Sequence, residues 1–105
     1  MLKKNILRKN HQFQDVINHK QQLVSKYIVL YQKRNNRGLR IGISISKKFA
    51  NAVNRNKYRR KVRAALDNLN LWDKNLDVVL IIRKPFMQLT FEQMQTQIKK
   101  SFERT

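Results

Sequence analysis

The clearest pattern in the chain is a strict alternation of apolar and polar residues over positions 39–46, which read LRIGISIS. Successive side chains of a strand point to opposite faces, so this segment predicts a strand whose Leu and Ile side chains face a core. The other face of the predicted strand is small and polar, because Gly42, Ser44 and Ser46 lie on it. We therefore expect one packed face and one open face.

Two further segments have the composition of strands. Positions 23–33 are rich in β-branched and aromatic residues, with apolar residues on both faces, and we expect one continuous strand there. A turn signal, Asn-Asn-Arg-Gly at 35–38, separates it from the alternating segment. Positions 76–84 contain an unbroken apolar run at 78–82, which predicts a strand buried on both faces and ended by Pro85.

Three segments show the spacing of amphipathic helices. Asn10 is the predicted N-cap of a short helix that runs to about His19. A second helix is predicted from an N-cap at Asn54 to Asn70, and a T-x-x-Q capping box at 90–93 precedes the third. Their apolar stripes consist of Phe13, Val16 and Ile17; of Tyr58, Val62, Ala65, Leu66 and Leu69; and of Phe91, Met94, Ile98 and Phe102.

The order of these elements is helix, strands, helix, strand, helix. Two strands joined through a helix imply a parallel pair in a mixed sheet, so the pattern predicts an α+β fold. The general rule for such crossovers makes this one right-handed. A chain of 105 residues, 41% of them hydrophobic, is long enough for one core, and we expect a single domain over 1–105.

Composition narrows the function classes. The chain has no cysteine, which excludes disulfides and Cys-based zinc sites and fits a reducing compartment. No apolar run approaches the roughly 20 residues of a spanning helix, and no apolar segment of a signal peptide follows the basic first residues. We therefore expect a soluble cytoplasmic protein.

The formal net charge of +18 is distributed unevenly. Residues 1–66 contain 18 Lys and Arg and one acid, whereas residues 67–105 contain six basic and five acidic residues. The densest stretch, Lys47 to Arg63, has eight basic residues and no acid. Solvated helix faces usually mix both signs, so we interpret this stretch as a binding surface for a polyanion. Nucleic acid is the first candidate, and an anionic membrane is the second.

The predicted second helix carries much of this charge. At about 100° per residue, three arginines and an asparagine fall together beside its apolar stripe. These residues are Asn56, Arg59, Arg60 and Arg63. Lys57 and Lys61 fall on the other flank, and Arg55 falls in the first turn, where unpaired N–H groups attract anions. Guanidinium groups bind phosphate in bidentate fashion, and asparagine can contact a base or ribose edge.

A self-contained catalytic site is not expected. His11 and His19 do not form a metal-ligand pattern, and the six carboxylates are scattered, without a close pair for acid–base chemistry. The sequence has no Gly-rich phosphate loop and no nucleophile elbow. If the protein takes part in catalysis, another molecule supplies the chemistry.

Several motifs occur together and in order. A G-x-S-x-S-K-K segment at 42–48 precedes A-V-x-R-N at 52–56 and the basic run to Arg63. The strand at 81–85 ends in R-K-P, and Leu7-Arg8-Lys9-Asn10 with Phe13 opens the first helix. Over nearly its whole length the chain resembles the bacterial ribonuclease P protein component.

The resemblance implies a function and a fold. Ribonuclease P removes the 5′ leader of precursor tRNA, and its RNA subunit performs the catalysis with magnesium ions. The protein subunit binds that RNA and the leader, has no catalytic residues or cofactor of its own, and uses no small-molecule substrate or membrane. The implied fold is α-β-β-β-α-β-α with a mixed four-stranded sheet, ribosomal protein S5 domain 2-like, and with a left-handed crossover.

The resemblance, the dense basic stretch and the polar face of the predicted strand together assign residues to two surfaces. The expected contacts with the ribonuclease P RNA are Lys47, Lys48, Arg55, Asn56, Lys57, Arg59, Arg60, Lys61 and Arg63. The expected cleft for the leader consists of Phe13, Ile17, Tyr31, Arg40 and Ser44. The family often has a second Phe where Ile17 stands. Phe13 and the tyrosines of 27–31 are candidate stacking platforms for single-stranded RNA, and core packing is the alternative for Phe13.

Two other hypotheses stay open at this point. A small structural RNA-binding protein, such as a ribosomal protein, would have the same composition and fold class. Membrane-surface binding through the basic helix is the third, although the stripe of 58–69 is narrow and fits a core.

Overall fold

The succession of helices and strands along the chain is that of an α+β fold. The computed structural model describes residues 6–7, 10–48 and 50–103, with Asn10 described by its backbone alone. Within them the elements are α1 (Asn10–Asn18), β1 (Gln21–Val24), β2 (Ile28–Arg34), β3 (Arg40–Ile45), α2 (Ala52–Leu69), β4 (Leu76–Ile82), a 3-10 helix (Lys84–Gln88) and α3 (Phe91–Glu103). The expected Asn10 cap and the motif residues Arg8 and Lys9 lie outside the described side chains.

The four strands form one mixed sheet in the order β1-β2-β4-β3. β2 is antiparallel to both β1 and β4, and β3 is parallel to β4, as the strand–helix–strand pattern predicts. Residues before α1 add to the outer edge of β3, where the Leu7 N–H donates to the Ile41 carbonyl at 2.8 Å. The α+β fold with a mixed four-stranded sheet is confirmed, and the hand of the crossover stays a prediction.

The sheet has a core on each face. Alternate residues of β3, including Ile41 and Ile43, pack with the apolar stripes of α2 and α3 in the main core. On the other face α1 covers a smaller cluster around Val16 and Val79. β4 is the central strand and contributes to both, so its apolar run is buried on both sides as predicted.

The prediction of one strand over 23–33 is wrong. The chain turns at Ser25, whose hydroxyl accepts from the Tyr27 and Ile28 N–H groups at 3.3 and 3.1 Å. The Ser25 N–H also donates to the Ile28 carbonyl at 3.0 Å, which closes the hairpin between β1 and β2. A serine in this position forms a turn through its own side chain, and no Gly or Pro marks it.

The start of α2 also differs from the prediction. Asn51, not Asn54, is the N-cap, and its side-chain oxygen accepts from the Asn54 N–H at 2.9 Å. The Arg55 N–H is consequently bonded inside the helix, to the Asn51 carbonyl, so it is not one of the unpaired groups of the first turn. The predicted end is confirmed, because Asn70 caps the helix with φ of 54°.

Two features surround α3. The predicted capping box is confirmed: the Gln93 N–H donates to the Thr90 hydroxyl, and the Thr90 N–H donates to the Gln93 side chain. The 3-10 helix after β4 buries Phe86 completely, which the sequence pattern did not predict. Pro85 near the start of that helix agrees with its predicted role of ending the strand.

Candidate nucleic-acid interface

One flank of α2 lines a groove of about 630 Å³, which we call the arginine groove. The four residues predicted to share this flank all line it, namely Asn56, Arg59, Arg60 and Arg63. Apolar residues complete the lining, with Ile43 of β3, Phe13 of α1 and Leu7 before it. The groove therefore combines guanidinium groups with apolar surface, and none of the described residues that line it is acidic.

Arg59 and Asn56 are linked across one helical turn. The Arg59 Nη1 donates to the Asn56 side-chain oxygen at 2.9 Å, a pair that the i,i+3 spacing allows. This contact orients the guanidinium group, and it engages the side-chain oxygen of Asn56, one of the two groups with which asparagine can contact a base or ribose edge. Asn56 thus positions Arg59, in addition to any contact through its amide nitrogen.

The remaining basic residues surround this flank. Lys57 is exposed on the far side of α2, and the Lys61 Nζ lies 5.4 Å from the centroid of the Tyr58 ring. The Arg55 Nη1 donates to the Ala50 carbonyl at 3.0 Å, so Arg55 also ties the helix to the preceding loop. Lys47 and Lys48 are exposed in the turn after β3, at the same end of the molecule as the start of α2.

A second groove of about 340 Å³ lies between α1 and the sheet, and we call it the α1 groove. Phe13 and Ile17 of α1 line it with Ser44 of β3, as the resemblance implies. Ile81 of β4 and Arg59 of α2 complete its walls. Because Phe13 and Arg59 line both grooves, the two grooves meet at these side chains.

The polar face of β3 is only partly open. A Cβ atom built on Gly42 would lie 2.6 Å from the Phe13 Cζ, so the ring fills the space that this glycine leaves. The expectation of an open face is therefore wrong at Gly42, and the open surface begins at Ser44. Phe13 packs against the smaller core and also lines both grooves. Core packing of the ring therefore does not exclude contact between the ring and a ligand in the grooves.

The tyrosines separate onto the two faces of the sheet. Tyr31 packs with the smaller core under α1, beside the α1 groove but not among the residues that line it. Tyr27 packs against the main core on the opposite face, with the Lys26 Nζ 5.6 Å from its ring centroid. Tyr27 is therefore removed from the stacking candidates.

Arg40 lies away from both grooves and has a structural partner. Its Nε and Nη2 donate to the two carboxylate oxygens of Asp77 at 2.7 and 2.6 Å, and Asn35 also donates to that carboxylate. Burial raises the pKa of Asp77, but the hydrogen bonds from Arg40 and Asn35 outweigh it and leave the pKa below its ordinary value. The guanidinium of Arg40 is thus occupied within the sheet, and the structure does not bring Arg40 to the α1 groove.

Val53 is a groove residue that the sequence reasoning missed. Its side chain is 74% exposed and lines the arginine groove near Asn56. On a helical wheel Val53 falls close to Arg60, outside the apolar stripe, so an apolar residue on a basic flank was the available signal. Such a residue offers an apolar contact to a base or ribose beside the guanidinium groups.

Among the described residues, no helix has the length and apolar character required to cross a bilayer. The same residues contain no group of three or more His, Cys, Asp or Glu arranged to hold a metal ion. Both histidines, His11 and His19, are exposed.

Comparison with known proteins decides between the hypotheses that composition left open. The family model for ribonuclease P matches residues 1–105. The chain belongs to this family. Ribonuclease P protein components of Mycoplasma mobile and Mycoplasmopsis pulmonis are 42% and 44% identical to it, over 99% and 93% of this chain and 92% and 88% of their own lengths.

The solved structures agree with the family assignment. The ribonuclease P protein of Staphylococcus aureus is 29% identical, with a TM-score of 0.84, covering 94% of this chain and 93% of that one. The ribonuclease P protein of Thermotoga maritima is 28% identical, with a TM-score of 0.83. As a bacterial ribonuclease P protein component, the chain is an RNA-binding protein of tRNA processing, and its family implies an endoribonuclease holoenzyme.

Proposed function

We propose that this ribonuclease P protein component binds the ribonuclease P RNA through α2 and holds the 5′ leader of precursor tRNA in the α1 groove. The observation that carries the proposal is the lining of the arginine groove. Three arginines lie beside apolar side chains there, and the described part of the lining contains no acidic residue. A groove of this kind suits single-stranded RNA, whose phosphates need cations and whose bases stack on apolar surface.

The roles of the residues follow from their positions. Arg60 and Arg63 present guanidinium forks to phosphates, while Lys47, Lys48 and Lys57 add charge around them. Arg59, oriented by Asn56, stands where the two grooves meet and contacts RNA from either side. Arg55 and Lys61 have partners within the chain and contribute mainly through their charge.

The leader contacts centre on Phe13. Its ring lines the α1 groove beside Ile17 and Ser44, where an unpaired base stacks on the aromatic surface. With Ile17 in place of a second Phe, the groove offers one stacking platform and an aliphatic neighbour. Tyr31 supports this wall from the smaller core.

The chemistry of cleavage belongs to the RNA subunit in this proposal. Magnesium ions bound with the RNA would supply an activated nucleophile and stabilise the transition state. The described residues of this chain contain no clustered carboxylates, and its contribution is to bind and orient the leader. Its partners are the ribonuclease P RNA and precursor tRNA, in the cytoplasm where both occur.

Reconstitution tests the proposal. The full chain is combined with a bacterial ribonuclease P RNA at low magnesium, and cleavage of a precursor tRNA is measured. We expect stimulation over the RNA alone, which Arg59→Ala with Arg63→Ala reduces. The matched control is Lys99→Ala with Lys100→Ala, which removes the same charge from α3.

The salt dependence of RNA binding provides a second readout. Each phosphate contact adds about 0.7 to 0.9 to the slope of log affinity against log salt, so the double arginine variant should flatten it by about 1.5. A slope equal to that of the lysine control would contradict the assigned face. Absence of any stimulation by the unmodified chain would contradict the function itself.

A further inference from the structure

A third groove, of about 610 Å³, lies apart from the two described above and shares no lining residue with them. We call it the amide groove, after Gln21, Gln32, Asn36 and Asn75 on its walls, where Arg34 and Lys74 also lie. We propose that it binds a separate segment of unpaired RNA, with phosphates on Arg34 and Lys74 and base edges on the amides.

The register of the sheet places this groove at the other end of the molecule. Arg34 pairs with Leu76 at the beginning of β4, whereas Ile45, which lines the α1 groove, pairs with Ile82 at its end. Gln32 follows the buried Leu30 by two residues, so its side chain is on the face that α2 and α3 cover, opposite α1. An RNA segment in the amide groove therefore contacts a different part of the surface from the leader.

Five side chains of the groove are available for a ligand, namely those of Gln21, Gln32, Arg34, Asn36 and Lys74. Gln21 and Gln32 are cross-strand partners, and neither side chain has a hydrogen-bond partner among the described residues. The same holds for the side chains of Asn36, Arg34 and Lys74. A carboxamide presents a donor and an acceptor side by side, which is the arrangement that pairs with a base edge. Phosphate alone would need only the two cations, so the amides favour a nucleotide.

The electrostatics favour an anionic ligand. Asp77, at the start of β4, forms an ion pair with Arg40 through two hydrogen bonds. Asp73, which precedes Lys74 in the chain, is exposed and does not line the groove. Among the described residues, no acidic side chain lines the groove. Leu76 is the only apolar one of the described lining residues, so the surface does not resemble the apolar face that inserts into a membrane.

Two asparagines hold the groove in shape. The Asn75 carbonyl accepts from the Asn35 N–H at 3.0 Å, and the Asn75 side chain accepts from the Gly38 N–H at 3.1 Å. Asn35 in turn donates to Asp77. The turn between β2 and β3 is thereby fixed to the start of β4. The volume of the amide groove is in the range of about 300–1,000 Å³ that is usual for ligand clefts.

Binding to short RNAs tests the inference in the intact chain. Single-stranded decaadenylate and decauridylate are titrated into the protein, and the side-chain NH2 signals of Gln32 and Asn36 are followed by NMR. We expect these signals to shift in the unmodified chain and also in the Arg59→Ala, Arg63→Ala variant. Absence of shifts with both oligonucleotides, or equal shifts with a ten-base-pair RNA duplex, would overturn the inference.

Substitutions distinguish the contribution of the two cations from that of the amide side chains. We expect Arg34→Ala with Lys74→Ala to weaken oligonucleotide binding severalfold and to lower its salt slope by about 1.4, at roughly 0.7 per phosphate. Gln32→Ala with Asn36→Ala should weaken binding severalfold at unchanged slope, because it removes no charge. Loss with the cation variant alone, or a loss matched by Lys99→Ala with Lys100→Ala, would overturn base recognition in this groove.

The inference uses the proposed function only in assuming that the chain meets RNA. Measured in the Arg59→Ala, Arg63→Ala background, shifts of the amide signals support the third groove even if precursor cleavage is not stimulated. Stimulated cleavage without shifts of the amide signals would contradict the third groove and leave the proposed function intact.

Discussion

At the scale of single residues, the contact between Gly42 and Phe13 decides how far the sheet face is open. Any side chain at position 42 would meet the ring tip at 2.6 Å. We predict that Gly42→Ala lowers the free energy of unfolding by about 1–3 kcal/mol, the usual cost of overpacking. Urea unfolding followed by circular dichroism measures this.

The Phe13→Leu background is the control for that prediction, because leucine lacks the ring tip. Gly42→Ala should cost less there than in the unmodified chain, which gives a favourable coupling in the double-mutant cycle. Additive effects of the two substitutions would mean that the ring does not occupy the space at Gly42.

The pair of Arg40 and Asp77 is the other residue-scale determinant, and it belongs to stability. The side chains are only 21% and 8% exposed. Asp77→Asn leaves the guanidinium buried without a carboxylate, so we predict a loss of roughly 3 kcal/mol near neutral pH. Asp15→Asn is the matched control, since the Lys33–Asp15 pair is exposed and should cost at most about 1 kcal/mol.

The lowered pKa of Asp77 gives this prediction a pH dependence. Its stabilising contribution is complete above the unfolded-state pKa of about 3.9 and is lost as the pH falls through the lower folded-state pKa. The difference between the unmodified chain and Asp77→Asn should therefore shrink in acid. Urea unfolding between pH 7 and pH 3 measures it, and a constant difference would contradict the ionised pair.

At the scale of elements, the sequence predicted what depends on neighbours along the chain. The capping box of Thr90 and Gln93 and the stripe of α2 were found because their spacing is local. The turn at Ser25 was missed because a hydroxyl replaces the usual glycine. The partner of Arg40 was not found, because Asp77 is 37 residues away and the predicted parallel pairing of the two strands does not give the register that places Arg40 opposite Asp77.

The N-cap of α2 provides an element-scale prediction. Asn51→Ala removes the side chain that accepts from the Asn54 N–H, so it should lower the free energy of unfolding by about 1 kcal/mol. Asn54→Ala, in the first turn of the helix, should change it by less than about 0.5 kcal/mol. Urea unfolding of both variants measures the difference, and a larger loss for Asn54→Ala would contradict the observed start of the helix.

At the scale of the whole molecule, most of the net charge and the nearly neutral part of the chain occupy different segments of the sequence. In the sequence, +17 of the +18 lies before Asp67, and three of these cations fall on one flank of α2. Those three arginines and Asn56 line one groove. The sequence could not reveal that Phe13 and Arg59 join that groove to the α1 groove, because this depends on how α1 and α2 meet around β3. The acidic residues of the last third mostly balance its cations, and this part packs the main core.

Concentrated charge of one sign should make the fold less stable at low salt. Lys57 and Arg60 are both exposed within the densest basic stretch. Replacing both with Ala should therefore raise the thermal midpoint of unfolding at about 0.01 M salt. At that salt concentration the Debye length of roughly 30 Å approaches the 34 Å length of the molecule, so the charges repel one another across it. The same variant should bind ribonuclease P RNA less tightly, because its charges serve the interface. At about 1 M salt, where charges are screened within about 3 Å, the gain should disappear. Lys99→Ala with Lys100→Ala, in the nearly neutral third, should give no comparable gain, and a gain that persists at high salt would assign the effect to helix propensity instead of repulsion.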